Sequence, residues 1–184
     1  MWQYIIIICI WIGFIFHWTI GSIPQKKYFE IYAGCGIGIC LTLLILGLFG
    51  WFHNQTDVLL LQILRIIGGI FYTLAIIISI ISLVTLRSKG KPDRGIENTK
   101  IFIEKGIFKV VRHPLYLGLA FWSIGFIFIV QSLTFTISGI IALLCFLMAA
   151  KKEDEFNIIK FGNSYREYMK NVPRWNFLKG FGLY

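Results

Sequence analysis

Residues 113–154 read HPLYLGLAFWSIGFIFIVQSLTFTISGIIALLCFLMAAKKED, and the division of this stretch decides the fold. Two apolar runs, Leu115 to Val130 and Leu133 to Ala150, are separated only by Gln131 and Ser132. Each approaches the roughly 20 residues that an α-helix needs to cross a hydrocarbon core. So short a connection predicts a tight antiparallel hairpin. Pro114 suits the first turn of a helix, where its missing N–H would have had no intrahelical partner, so the first of the pair begins there.

Three further apolar runs precede the hairpin: Tyr4 to Ile23, Ile31 to Phe52 and Val58 to Leu86. The last is the longest, which predicts tilt or a bend near Gly68-Gly69. The chain is 57% hydrophobic and 15% charged, with a mean hydropathy of +0.75, far from the balance of a soluble domain. The predicted fold class is all-α, a polytopic membrane helical bundle of five transmembrane helices with a cytoplasmic C-terminal helical segment. Too little chain lies outside the apolar runs for a separate soluble core, so residues 1–184 are expected to form a single integral membrane domain.

Charge placement predicts the orientation. Of the 18 Lys and Arg residues, Lys26 and Lys27 fall in the first loop, eight in the third, and seven after Ala150; the second and fourth loops hold none. Five spans then put the N-terminus outside and the C-terminus in the cytoplasm, leaving Arg65 near the outer interface. Positive-inside bias and anionic headgroups account for the net charge of +9, so nucleic acid is not needed to explain it.

Three features suggest no chemistry. Cys9, Cys35, Cys40 and Cys145 lie inside apolar runs with no CxxC pair, which suggests neither a zinc site nor a disulfide framework. GCGIG, Gly34 to Gly38, imitates a nucleotide loop but lies within a membrane run, where small residues serve close helix approach. The start, MWQYIIII, lacks a basic n-region and an A-x-A site, so the first run reads as a retained helix.

The conspicuous polar chemistry gathers in Arg87 to Pro114 and Lys151 to Tyr184. Arg112 and His113 flank a helix N-terminus whose free N–H groups and partial positive charge suit a carboxylate or phosphate. After the hairpin comes KKEDEFNIIKFGNSYREYMKNVPRW, residues 151–175, with Phe156, Ile159 and Phe161 on one side and charges on the other. Gly162 is placed to end a helix in left-handed conformation, and Asn163 or Ser164 to cap a second helix carrying Tyr165 and Tyr168. Alone, the first segment also reads as residues snorkelling to headgroups, and KKEDE as a solvated helix start. Because the hairpin returns the chain to the face it left, however, His113 should come near Glu153 and Asp154. The acidic pair would hold ribose hydroxyls or a positive centre, and the Arg, the His and the helix end a carboxylate.

Taken together, IFIEKGIFKVVRHPLYLG (101–118), the hairpin, and EDEFNIIKFGNSYREYMKNVPRW (153–175) resemble the isoprenylcysteine carboxyl methyltransferase and phospholipid methyltransferase superfamily of integral membrane enzymes. The resemblance covers roughly Ile101 to Trp175; the first three helices are similar only in number and hydrophobicity. It implies S-adenosylmethionine in a cytoplasmic pocket closed by these segments. A lipophilic or lipid-linked acceptor (a carboxylate, thiol or amine) would enter from the lipid bilayer, and no metal is required. Residues 1–86 would then supply three membrane helices, and 87–184 the cofactor loop, hairpin and closing segment. By the same resemblance Lys100, Ile101, Phe102, Ile103, Phe108, His113, Pro114, Leu115, Tyr116 and Glu153 bind the cofactor. Phe102 and Ile103 match a Leu-Val pair before the glycine, here Gly106, and Asp154 replaces a usual Glu. Tyr165, Tyr168, Val172, Pro173 and Arg174 match a closing pattern that holds the C-terminal segment over the pocket.

Three positions depart from the pattern: Lys100 stands for a frequent His, Phe108 for a Tyr, and Ala149 for an Arg implicated with substrate, for which Lys151 or Lys152 could substitute. In-line methyl transfer needs mainly alignment and exclusion of water, so no catalytic residue is assigned. An amine acceptor would have to lose a proton, with His113 or Glu153 nearby. A phospholipid N-methyltransferase of the same superfamily is one alternative. An NADPH-dependent sterol-type membrane reductase is another, although its cofactor wants a wider basic site and usually a longer bundle. A scaffold or small transporter would normally show internal repeats or midplane charges, and neither is visible.

Overall fold

The computed structural model describes residues 2–49, 59–90, 101–180 and 182. Those residues form helices and connecting turns, with no strand among them. Helix α1 spans Trp2–His17 and continues through a π-helical turn, Trp18–Ser22; α2 is Tyr28–Leu48 and α3 is Leu59–Lys89. A 3-10 turn, Gly106–Lys109, leads into α4, Pro114–Val130, which is followed by α5, Leu133–Phe161, α6, Asn163–Asn171, and the short α7, Phe177–Gly180.

Four of these helices, counting α1 with its π turn, are long and apolar enough to cross a membrane; α4, with 17 residues, is shorter. At 1.5 Å per residue α4 reaches only about 25 Å. The hairpin turn is as short as expected. Gln131 takes the left-handed conformation (φ 55°), its side-chain amide donates to Leu61 O and Phe128 O, and Ser132 Oγ accepts from Phe135 N to cap α5.

Two expectations need correction. The amphipathic stretch after Ala150 is not a separate helix, because α5 runs unbroken from Leu133 to Phe161. The polarity changes at Lys151, yet Lys, Glu and Asp do not break a helix as Gly or Pro would. The helix therefore carries Glu153 and Asp154 beyond its apolar part. At its end Gly162 has the expected positive φ, but its ψ is −137°, outside the left-handed helical well, and neither Asn163 nor Ser164 caps α6.

Helix α3 packs along α4, while α2 and α4 both pack on α5. The interior between α2, α4 and α5 is filled by Leu43, Tyr116, Phe126, Phe135 and Phe146. Gly68 explains the close pairing of α3 and α4. A Cβ there would stand 3.0 Å from Gly125 O, and α3 continues through Gly68-Gly69 without interruption. The GCGIG glycines are contact points as well: Gly34 and Gly38 meet Trp18 and Trp11, and Gly36 meets Phe146. Facing outward, Ile5, Ile12, Ile66, Ile140 and many others form a broad apolar surface, which fits a multi-pass membrane protein.

Candidate active site

The segment before α4 is held from the C-terminal side. Gly106, at φ 66°, lets the chain turn from the extended Lys105 into the 3-10 turn. Tyr168 OH then donates to Phe108 O at 2.5 Å, and Arg112 N donates to Pro173 O at 3.0 Å. The Phe102 ring packs on Phe161, Tyr165 and Tyr168, with centroids 5.2 to 5.7 Å apart. Burial pushes the Tyr165 and Tyr168 hydroxyls well above the usual phenol range, so both stay protonated and donate.

Asp154 is the hub. Its Oδ1 accepts from His113 Nε2 and from Tyr165 OH, each at 2.8 Å. Its Oδ2 accepts from Arg112 Nη2 at 3.2 Å and from Arg174, at 2.9 Å from Nε and 2.8 Å from Nη2. Arg112 Nη1 also donates to Met169 O (2.8 Å) and Val172 O (2.7 Å), closing the end of α6. One carboxylate thus ties α5 to α6, to the segment before α4 and to the segment after α6. Burial works to raise the Asp154 pKa, but His113, Arg112 and Tyr165 hold it well below the usual carboxylate range.

His113 lies between two acids, with Nε2 on Asp154 and Nδ1 3.4 Å from Glu153 Oε2. Burial alone would lower its pKa; the hydrogen bonds and charges of the two carboxylates prevail and raise it to about 9. The ring therefore carries both protons at neutral pH. Its face lies nearly parallel to Tyr116, 5.8 Å between centroids.

A cavity of about 300 Å³ opens beside this cluster. Ile101, Phe102, Ile103 and Phe108 line it from the loop, His113, Pro114, Leu115 and Tyr116 from the start of α4, and Glu153 from α5. Lys100 lies outside the described residues. Asp154 is not among the lining residues, so of the acidic pair Glu153 alone faces the cavity. Arg112 also lines it, and its Nε is buried with no hydrogen-bond partner among the described residues. Neither Lys151 nor Lys152 lines the cavity; Lys152 Nζ instead pairs with Glu155 at 2.8 Å.

Sequence reasoning missed the N-terminal half of the site. His17, Glu30, Ala33, Gly34 and Ile37 line the cavity from α1 and α2, and Leu83 and Leu86 from α3. A signal existed: Glu30 is the sole acidic residue before Asp57, and it stands directly before the apolar run that begins at Ile31.

Residues 63–164 match the family model for phospholipid methyltransferase. The match covers more than half of the chain, which therefore belongs to the phospholipid methyltransferase family. Among curated proteins, the chain is similar to protein-S-isoprenylcysteine O-methyltransferase of Xenopus laevis, 34% identical over 42% of this chain and 28% of that protein. The Homo sapiens enzyme of the same name is 32% identical over 45% of this chain and 30% of its own length. That of Schizosaccharomyces pombe is 30% identical over 40% and 31%. The matched part is thus under a third of each relative's length. No solved structure matches the chain.

Proposed function

We propose that the chain is a membrane-embedded, S-adenosylmethionine-dependent methyltransferase, similar to the isoprenylcysteine carboxyl methyltransferases, that methylates a lipophilic acceptor. The observation that carries this reading is the cavity: a charged wall of Arg112, His113 and Glu153, mostly within the family-matched region, continues into an apolar wall of Ile37, Leu83, Leu86 and Leu119. One end suits a charged cofactor and the other an alkyl or prenyl chain. With α4 counted as a fifth span, the concentration of Lys and Arg in the first and third loops and after Ala150 supports a cytoplasmic cavity and C-terminus and an outside N-terminus.

The residues fit the cofactor chemically. Arg112 Nε, which has no hydrogen-bond partner among the described residues, offers a donor for the cofactor's carboxylate, and the first turn of a helix such as α4 leaves N–H groups without intrahelical partners. Glu153 is positioned to accept from ribose hydroxyls, while Phe102, Phe108 and Tyr116 offer flat apolar surface to the adenine. When bound, the cofactor supplies an electrophilic methyl group. The protein's part is to align donor and acceptor and keep water out, which the closing contacts of Tyr165, Tyr168 and Phe102 accomplish. His113, held doubly protonated, is a donor and cannot act as a base at neutral pH. The family match supports this reading over an NADPH-dependent reductase.

The test is transfer of labelled methyl from S-adenosylmethionine to solvent-extractable lipid in membranes containing the protein. Label should appear with the wild type and be strongly reduced with Glu153→Gln. Absence of label across a broad lipid extract would overturn the reading.

A further inference from the structure

The cavity has a second polar end, which the motif-bearing half of the chain does not supply. His17, at the end of α1, and Glu30, in the first turn of α2, line it. Glu30 Oε2 accepts from Ser22 Oγ at 2.6 Å and lies 3.3 Å from His17 Nε2. Oε1 lies 3.6 Å from Lys27 Nζ, is buried, and accepts no hydrogen bond among the described residues. Ser22 and Lys27 are both buried. Stapling the α1–α2 turn accounts for Oε2. It leaves Oε1 in an ion pair with Lys27 but without a hydrogen-bond donor among the described residues.

What surrounds this end limits what it can receive. Ala149 carries no charge, and no lysine among the described residues lines the cavity. Arg112 Nη2 and His113 Nε2 are engaged by Asp154, and the remaining Arg112 Nε is the donor assigned above to the cofactor. Ile37, Leu83, Leu86 and Leu119 line the same cavity and are apolar. A second carboxylate beside Glu30 would compete with it for Lys27, whereas an N–H, O–H or S–H would meet an oxygen that accepts no hydrogen bond among the described residues.

We infer that Glu30, held by Ser22 and Lys27 and flanked by His17, is the specificity-determining residue for the acceptor. It receives the hydrogen-bond-donating head of a lipophilic molecule and disfavours a carboxylate head. The word acceptor rests on the methyltransferase reading, but the recognition itself needs no methyl donor and can be measured without one.

The experiment is titration of the full chain in detergent at neutral pH with dodecylamine, dodecyltrimethylammonium and dodecanoate, beside S-adenosylhomocysteine. Wild type should bind dodecylamine saturably and roughly tenfold or more tighter than dodecanoate, the scale of one charge-assisted hydrogen bond. Dodecyltrimethylammonium, a cation with no N–H, should bind more weakly than the amine. Glu30→Gln should lose the preference for the amine while keeping S-adenosylhomocysteine binding. Dodecanoate binding as tightly as dodecylamine, or amine preference surviving in Glu30→Gln, overturns the inference. If Glu30→Gln does not fold, Glu30→Asp, which keeps the charge but withdraws it by one methylene, should narrow the amine preference, and an unchanged preference overturns the inference. Failure of S-adenosylhomocysteine to bind wild type, with the wild-type ranking of the three probes intact, overturns the methyltransferase reading and leaves the recognition by Glu30 supported.

Discussion

His113 Nε2 and Asp154 Oδ1 stand 2.8 Å apart although 41 residues separate them in the chain. The contact exists because the α4–α5 hairpin returns the chain to the end from which it started. It joins the loop before α4 to the charged extension of α5, and the cavity lies beside the joint. The stability of the site should therefore depend on this pair.

Replacing Asp154 with Ala leaves Arg112 buried without its counter-charge and His113 with Glu153 alone, and Arg174 loses the same partner. Breaking a buried ion cluster by removing one member costs about 3–5 kcal/mol. Thermal unfolding in detergent should show a large fall in midpoint, much greater than for Glu155→Ala, whose carboxylate is exposed and pairs only with Lys152 among the ion pairs described.

The pH dependence has a defined sign. The folded pKa of His113 is raised to about 9 from an ordinary value of 6.5. Its contribution is fully present below pH 6.5 and is lost as pH rises to about 9, because the folded state keeps a proton that the unfolded chain releases. Asp154 works oppositely: its lowered pKa contributes stability above its ordinary 3.8, lost as pH falls further. Thermal midpoints should be highest between about pH 4 and 6.5 and decline toward pH 9, and His113→Gln should flatten the alkaline decline.

Tyr168→Phe removes the donor to Phe108 O, a buried carbonyl. Leaving such a group unsatisfied costs about 1–3 kcal/mol. Hydrogen exchange should become faster in residues 102–112 and 163–175 together, with little change in α1.

Adjacent glycines should behave oppositely. A Cβ at Gly68 would lie 2.8 Å from Ile129 Cγ1 and 3.0 Å from Gly125 O, whereas at Gly69 nothing lies within 4 Å. Gly68→Ala should destabilise by about 1–3 kcal/mol through overpacking. Gly69→Ala should be neutral or stabilising by up to about 1 kcal/mol, reflecting helix propensity. Unfolding midpoints of the two variants check this.

Much of this arrangement was legible in the sequence. Apolar run lengths marked the helices, Pro114 marked the start of α4, and the two-residue connection implied that His113 would meet Glu153 and Asp154. What could not be read was which acid turns inward. Neighbours on a helix point about 100° apart, so Glu153 faces the cavity while Asp154 is buried against α6. The continuity of α5 was hidden for a related reason: a change from apolar to charged residues marks a change of surroundings, and hydrogen bonding along the backbone passes through it. His17 and Glu30 were missed because their role depends on tertiary placement, and neither belongs to the motif-bearing segments.

The central claim is that the His113–Glu153 cavity holds S-adenosylmethionine. Calorimetric titration of the detergent-purified chain with S-adenosylmethionine, and separately with NADPH, tests it most directly. Micromolar binding of the methyl donor, weakened roughly tenfold by Glu153→Gln at a temperature where the variant is still fully folded, is the predicted result. Binding of NADPH and not of S-adenosylmethionine by the folded protein would contradict it.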